Sequence, residues 1–164
     1  MPYNFNRTLL IVNPASQSGQ GKYAGEKVHN FLLSQLKEGG FGPYFKLDTI
    51  EPDDREHAIK VAADTAKYDT VIALGGDGIV HEVVQGLMSL EKDERPVLGV
   101  IPTGSRNDFV KSINIEENLD RCLEQYLAIE PHPTDIGMVN DVFFSETLSF
   151  GIDAAIALST MVTR

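Results

Sequence analysis

The stretch Val71-Ile72-Ala73-Leu74-Gly75-Gly76-Asp77-Gly78 decides the fold. An unbroken apolar run from Val71 to Leu74, with no polar alternation, suits a strand buried on both faces. The glycine cluster ends that strand, and Val80, Val83, Val84 and Leu87 then recur at the spacing of one helical face. Strand, glycine turn and amphipathic helix in that order form the repeating unit of a parallel sheet.

The same unit repeats on either side. Leu9 to Val12 is a short buried strand stopped by Asn13-Pro14, since proline cannot continue a central strand. After a small, polar loop from Ala15 to Gly21, Val28, Phe31, Leu32 and Leu36 mark a helix that Gly39-Gly40 closes. Tyr44 to Thr49 reads as a second strand. Asp53 and Asp54 then cap a helix with Ile59, Ala62, Ala63 and Ala66 on its inner side. Pro96 to Ile101 is a further strand, followed by the loop from Pro102 to Asp108 and a helix from Ile115 to Tyr126, with Leu119, Cys122, Leu123 and Tyr126 inward. The fold class is α/β, a doubly wound parallel sheet.

The rhythm changes after Glu130. Pro131-His132-Pro133 is a stiff link, and the strand-like runs Ile136 to Val139 and Val142 to Ser149 flank a turn at Asn140-Asp141. Residues 1–131 are therefore expected to form the α/β domain, and residues 132–164 the beginning of an antiparallel β domain. Asp153 to Met161 has the composition of a short helix.

The chain has 164 residues, 42% hydrophobic and 23% charged, which excludes disordered, collagen-like and fibrous classes. Its net charge of −10 argues against a nucleic-acid-binding surface. The deficit is uneven: residues 1–50 carry 5 basic and 3 acidic groups, residues 51–94 carry 4 and 11. An anionic ligand is best received by the N-terminal third. The lone Cys122 has no partner for an internal disulfide, and no apolar run approaches the roughly 20 residues that span a bilayer. The expected address is the cytoplasm, with any membrane contact peripheral.

In an open parallel sheet, ligands gather outside the carboxyl ends of the strands, where loops and helix N-termini converge. The three unusual loops, Asn13 to Gly21, Gly75 to Gly78 and Thr103 to Asp108, all fall at that edge. Glycines let backbone N–H groups approach an anion, so together these loops describe a phosphate cradle. Taken singly, each is also readable as a plain turn or strand stop, and Lys22 as a solvated helix-start lysine. Other motifs do not fit. Gly21-Lys22 has Ser16 where a Walker A loop needs glycine and Tyr23 where it needs Ser or Thr. The dinucleotide-like string Gly19-Gln20-Gly21-Lys22-Tyr23-Ala24 begins well past its strand, and His81-Glu82 is followed by Gln85 where a zinc-protease motif needs histidine.

Asn13-Pro14 with Ser18-Gly19, Gly75-Gly76-Asp77-Gly78 with Glu82, Val83 and Gly86-Leu87, and Pro102, Gly104 and Asn107-Asp108-Phe109 stand in a familiar order. Asp135-Ile136-Gly137, Phe143-Phe144 and Ser149 to Ala154 continue it. The chain resembles the catalytic domain of the diacylglycerol kinase family of lipid kinases, which includes sphingosine and ceramide kinases. The glycine-rich motif is shared with NAD kinases and phosphofructokinases; Asn-Asp-Phe discriminates.

The resemblance implies an ATP-dependent kinase acting on a lipid hydroxyl such as that of diacylglycerol, with a role in phospholipid metabolism. It implies that Gly75, Gly76 and Gly78 surround the ATP phosphates, with Gly104, Ser105 and Asn107 beside them. Asn13, Ser16, Ser18 and Gly19 would cover the nucleotide. Asp77 would serve catalysis and orient Mg2+, Asp108 would act with it, and Asp135 and Asp153 would stand at the domain junction. Two positions depart from the family: Ile79 replaces its usual threonine, and Arg106 replaces the second glycine of its Gly-Thr-Gly-Asn-Asp-Phe loop. Arg106 either crowds the nucleotide or clamps a phosphate. Family members continue past the length of this chain into a β-sandwich and a late Asp-Gly-Glu motif that supplies the general base. The chain is thus expected to be the nucleotide-binding half, inactive by itself, with its strand edge completed by missing chain or by a homodimer partner. A non-catalytic phosphate-binding module and an NAD-kinase-like enzyme are the alternative readings.

Overall fold

The computed structural model describes residues 5–38 and 46–146. The expected helix stop at Gly39-Gly40, the start of the second strand at Tyr44 and everything from Thr147 onward, Asp153 included, lie outside the described residues.

Four parallel strands, β1 (Arg7–Val12), β2 (Lys46–Ile50), β3 (Thr70–Gly75) and β4 (Val97–Pro102), are ordered β2-β1-β3-β4. The chain runs from β1 to β2 on one side, then crosses to β3 on the other, so the order reverses between β1 and β3. Every residue of β3 is buried, as its uninterrupted apolar run requires. Alternate residues serve opposite faces. Leu10, Val12, Ile72 and Leu74 meet Val28 and Leu32 of α2 (Gly21–Glu38) and Cys122, Leu123 and Tyr126 of α6 (Leu119–Tyr126). Leu9, Ile11, Val71 and Ala73 meet Ala58 and Ala62 of α3 (Arg55–Ala63) on the other face.

The helix after β3, α4 (Asp77–Met88), divides its apolar side between both cores: Val80 and Val84 enter one, Ile79, Val83 and Leu87 the other. It lies so close to α3 that a Cβ on Gly86 would stand 2.4 Å from the Ile59 carbonyl oxygen. Gly86→Ala would therefore force the two helices apart.

Some local expectations change. The stretch from Ala15 to Gly21 is not all loop: α1 (Ser16–Gly19) makes one helical turn before α2. Asp54 alone is the N-cap of α3, accepting from the His57 N–H at 2.8 Å, while Asp53 Oδ2 lies 3.2 Å from His57 Nδ1. The buried side of α3 is Ala58 and Ala62 rather than Ile59, Ala62, Ala63 and Ala66; the helix ends at Ala63 and Ala66 is exposed. The expected helix from Ile115 starts later, as α6, capped by Asn118, which accepts from the Arg121 N–H, and a further short helix, α5 (Asp108–Ser112), stands between the expected loop and it.

Beyond the Pro131–Pro133 link, β5 (Gly137–Val139) and β6 (Val142–Phe144) form an antiparallel hairpin. Asn140 and Asp141 both adopt left-handed backbone, φ 46° and 60°, as a two-residue hairpin turn of this hand demands.

Candidate active site

The three loops at the carboxyl edge of the sheet touch one another. As the chain leaves β1, the Asn13 N–H still donates to Leu74 O of β3 at 2.9 Å, and Asn13 Oδ1 accepts from the Ala15 N–H at 3.1 Å. That Asx turn delivers Ser16 to the start of α1. Ser16 is buried, and its hydroxyl lies 2.8 Å from the Thr103 hydroxyl. The Thr103 N–H in turn donates to Gly75 O at 2.8 Å. A Cβ on Gly104 would stand 2.4 Å from Gly76 Cα, so the second and third loops are in backbone contact that a side chain would prevent.

Around that knot the glycines are open. Among the described residues, no atom beyond the local chain lies within 4 Å of where a Cβ on Gly19 or Gly78 would be, and Gly19 holds φ +96°, which glycine adopts without strain. Gly76 is the N-cap of α4 and offers no side chain to its first-turn N–H groups. The helix therefore presents uncapped amides and its positive dipole end at the loop cluster.

The third loop is held from behind. Asn107 is buried in left-handed backbone, φ 54°, which asparagine tolerates better than most residues. Its side chain accepts from the Gly104 N–H at 2.9 Å and donates to Gly104 O at 3.0 Å and to Glu117 Oε2 at 3.3 Å. Lys111 Nζ donates to Arg106 O and lies 3.7 Å from Asp108 and 3.8 Å from Glu117. Ser105 is exposed on this loop, as is Arg106, whose φ is not positive. Arginine at this position therefore does not force a left-handed backbone. Ile79 is 3% exposed and sits under Gly75 in the core, so position 79 contributes packing rather than a group at the loop opening.

Asp77, at the first position of α4, accepts from the Phe109 N–H at 3.3 Å, which ties the second loop to α5. The carboxylates of Asp77, Asp108 and Glu146 each place an oxygen within 4.8 Å of the others. Partial removal from water raises the Glu146 carboxyl above its ordinary value, the charges of Asp77 and Asp108 add to that, and a hydrogen bond to Asp77 adds further. Glu146, Glu117 and Lys111 were not legible as site residues in the sequence. Glu146 reaches the cluster only because the hairpin folds back on α4, a long-range fact with no local signature.

The other candidates are arranged as follows. Ser18 lies in α1, Lys22 is exposed near the start of α2, and Asp135 is exposed in the segment before β5. His81 is held below its ordinary value by burial and by Arg55, and burial raises Glu82; both are half-buried helix residues outside the carboxylate cluster. A separate cavity of about 910 Å3 lies along β4 and α6, lined by residues such as Phe5, Val100, Phe109 and Tyr126 and by none of the three loops.

The model of the diacylglycerol kinase catalytic domain matches residues 7–139, from the first strand of the sheet to the end of β5. The chain belongs to the diacylglycerol kinase catalytic-domain family. Among family relatives, a "Diacylglycerol kinase" of Bacillus subtilis (strain 168) is 36% identical over 139 residues, covering 84% of this chain and 43% of the relative. A "Probable lipid kinase YegS-like" of Enterobacter sp. (strain 638) is 32% identical over 137 residues, with the same coverage of 84% and 43%. The crystal structure of a diacylglycerol kinase from Bacillus anthracis str. Sterne superposes with a TM-score of 0.70 at 28% identity, covering 87% of this chain and 46% of that one. The chain thus spans less than half the length of these diacylglycerol kinase relatives. No helix among the described residues is long and apolar enough to cross a membrane.

Proposed function

We propose that this chain is the nucleotide-binding half of an ATP-dependent lipid kinase that phosphorylates a lipid hydroxyl, diacylglycerol being the acceptor class. Residues 1–131 are assigned to the nucleotide domain and 132–164 to the beginning of the domain that completes the site. The observation that carries the reading is the knot Ser16–Thr103–Gly75 with Gly76 against Gly104, which gathers three loops at the sheet's topological switch.

The residues fit a polyphosphate. Among the described residues, Gly78 and Gly19 leave open space, and the uncapped start of α4 supplies N–H donors beside Gly75, Gly76, Gly104 and Ser105. Asn13, Ser16 and Ser18 lie on the side from which the first loop covers the nucleotide, and Ser16 acts there by holding the loops together. Asn107 shapes the third loop rather than meeting phosphate, since its side chain is committed to Gly104 and Glu117.

The residues also fit a hard divalent cation. Asp77, Asp108 and Glu146 offer clustered carboxylate oxygens, the donor type Mg2+ prefers; burial is the main cause of the raised Glu146 carboxyl, and the charges of Asp77 and Asp108 that add to it are ones a cation would neutralise. When bound, Mg2+ would supply charge neutralisation for the phosphates, the dominant requirement in phosphoryl transfer. Peripheral membrane contact follows from a lipid acceptor, and it belongs to the longer proteins of the family.

Calorimetric titration with Mg2+ and ATP tests this. The chain should bind, and Asp77→Ala should weaken binding at least tenfold without lowering Tm by more than a few degrees. A longer form carrying the second domain should transfer phosphate from ATP to diacylglycerol in mixed micelles. Absence of nucleotide binding by the intact fold would dismiss the proposal.

A further inference from the structure

Gln85 lies on α4 two helical turns beyond Asp77, and its side chain makes two bonds to a single residue of the hairpin. Gln85 Nε2 donates to Phe143 O at 2.7 Å and Gln85 Oε1 accepts from the Phe143 N–H at 3.0 Å. The register explains why Phe143 is available. Val139 pairs with Val142 across the turn and Gly137 with Phe144, so the intervening Met138–Phe143 pair is of the non-hydrogen-bonded kind. The N–H and C=O of Phe143 therefore point away from β5, and the Gln85 amide meets both as the peptide group of a neighbouring strand would.

The two ends of this arrangement are joined by a short segment. The eight residues from Asp77 to Gln85 span about 12 Å of helix. The three steps from Phe143 to Glu146 span at most about 11 Å when extended. Glu146 nevertheless places a carboxylate oxygen within 4.8 Å of the Asp77 carboxylate, so the segment runs back along α4. Asp77 also accepts from the Phe109 N–H at 3.3 Å, so the place where Glu146 stands adjoins that amide.

We infer that Gln85 is a positioning residue: its amide latches the hairpin to α4 and thereby sets where Glu146 stands beside Asp77 and the phosphate loop. Its consequence for Mg2+ and ATP affinity rests on the proposed kinase reading; its consequence for the backbone does not. The hairpin also adheres through the partly buried Phe143 ring, so losing the latch loosens register rather than detaching the strand.

The test compares wild type, Gln85→Met, which keeps the length and apolar stem, and Gln85→Glu, which keeps the acceptor for the Phe143 N–H but not the donor for its carbonyl. Amide exchange is followed at Phe143, at Phe109 and, as an internal control for global stability, at Ile72 in β3. Gln85→Met should speed exchange about tenfold at both Phe143 and Phe109 with Ile72 unchanged, and Gln85→Glu should give a smaller rise. Affinity for Mg2+ plus ATP should fall about three- to tenfold in parallel. A rise confined to Phe143, no rise at all, or equal rises at Ile72 in both variants overturns the inference. If wild type binds no nucleotide, the kinase reading fails, and the exchange pair still decides the latch.

Discussion

The Ser16 and Thr103 hydroxyls lie 2.8 Å apart although 87 residues separate them in the chain. Both are buried, at 8% and 4% exposure, so neither can turn to water if its partner is removed. Ser16→Ala or Thr103→Val should each cost about 1–2 kcal/mol in urea unfolding, the usual penalty for stranding a buried hydroxyl. The double variant should cost less than the two singles added, because no orphan remains. Additive losses would show that the two groups do not depend on each other.

Two glycines separate packing from ligand space. Gly104→Ala drives a methyl to within 2.4 Å of Gly76 Cα, where backbone must move, and should cost about 1–3 kcal/mol in stability together with nucleotide affinity. Gly78→Ala meets nothing within 4 Å among the described residues beyond the local chain and lies in the first turn of α4. It should leave Tm unchanged or raise it, by about 0.5–1 kcal/mol of helix propensity, while weakening Mg2+ and ATP binding about tenfold. Normal nucleotide binding by Gly78→Ala would remove the open space at Gly78 from the cradle.

What the sequence makes legible here follows from period and punctuation. The β3–α4 unit reads correctly because Val71 to Leu74 is apolar on both faces and Val80, Val83, Val84 and Leu87 keep strict helical spacing. Asn140-Asp141 reads correctly because few residues accept two left-handed positions in succession. The inner side of α3 is misread because small apolar residues surround the helix, and only packing against the sheet and α4 selects Ala58 and Ala62. The five residues of α5 are too few to display a period. Asp77 and Asp108 are marked by their glycine and asparagine neighbours, whereas Glu146 and Gln85 acquire partners only when the hairpin is laid along α4.

Cys122 is fully buried in the core beneath α6, and burial pushes its thiol up to about 12, with Glu116 adding to the shift. The reactive thiolate is thus nearly absent at neutral pH. A thiol reagent such as Ellman's should react with native chain only as fast as the chain unfolds, and promptly in strong denaturant. Rapid labelling of the native state would mean that α6 opens far more readily than its packing against β4 implies.

Glu146 predicts a pH dependence whose sign follows from linkage. Its folded carboxyl titrates above the ordinary 4.5, so between that value and the folded one the native state holds more proton than the unfolded chain. Its contribution to stability therefore declines as pH rises through that window and stays low above it. Glu146→Gln removes the charge that Asp77 and Asp108 oppose. Without divalent cations its Tm should match wild type near pH 4 and exceed it at about pH 7.5. Adding Mg2+ should raise wild type more than the variant, because the variant has lost one carboxylate ligand, and the gap should close. A variant less stable than wild type at about pH 7.5 without cation would show that Glu146 gains more from its Phe109 hydrogen bond than it loses to its two acidic neighbours.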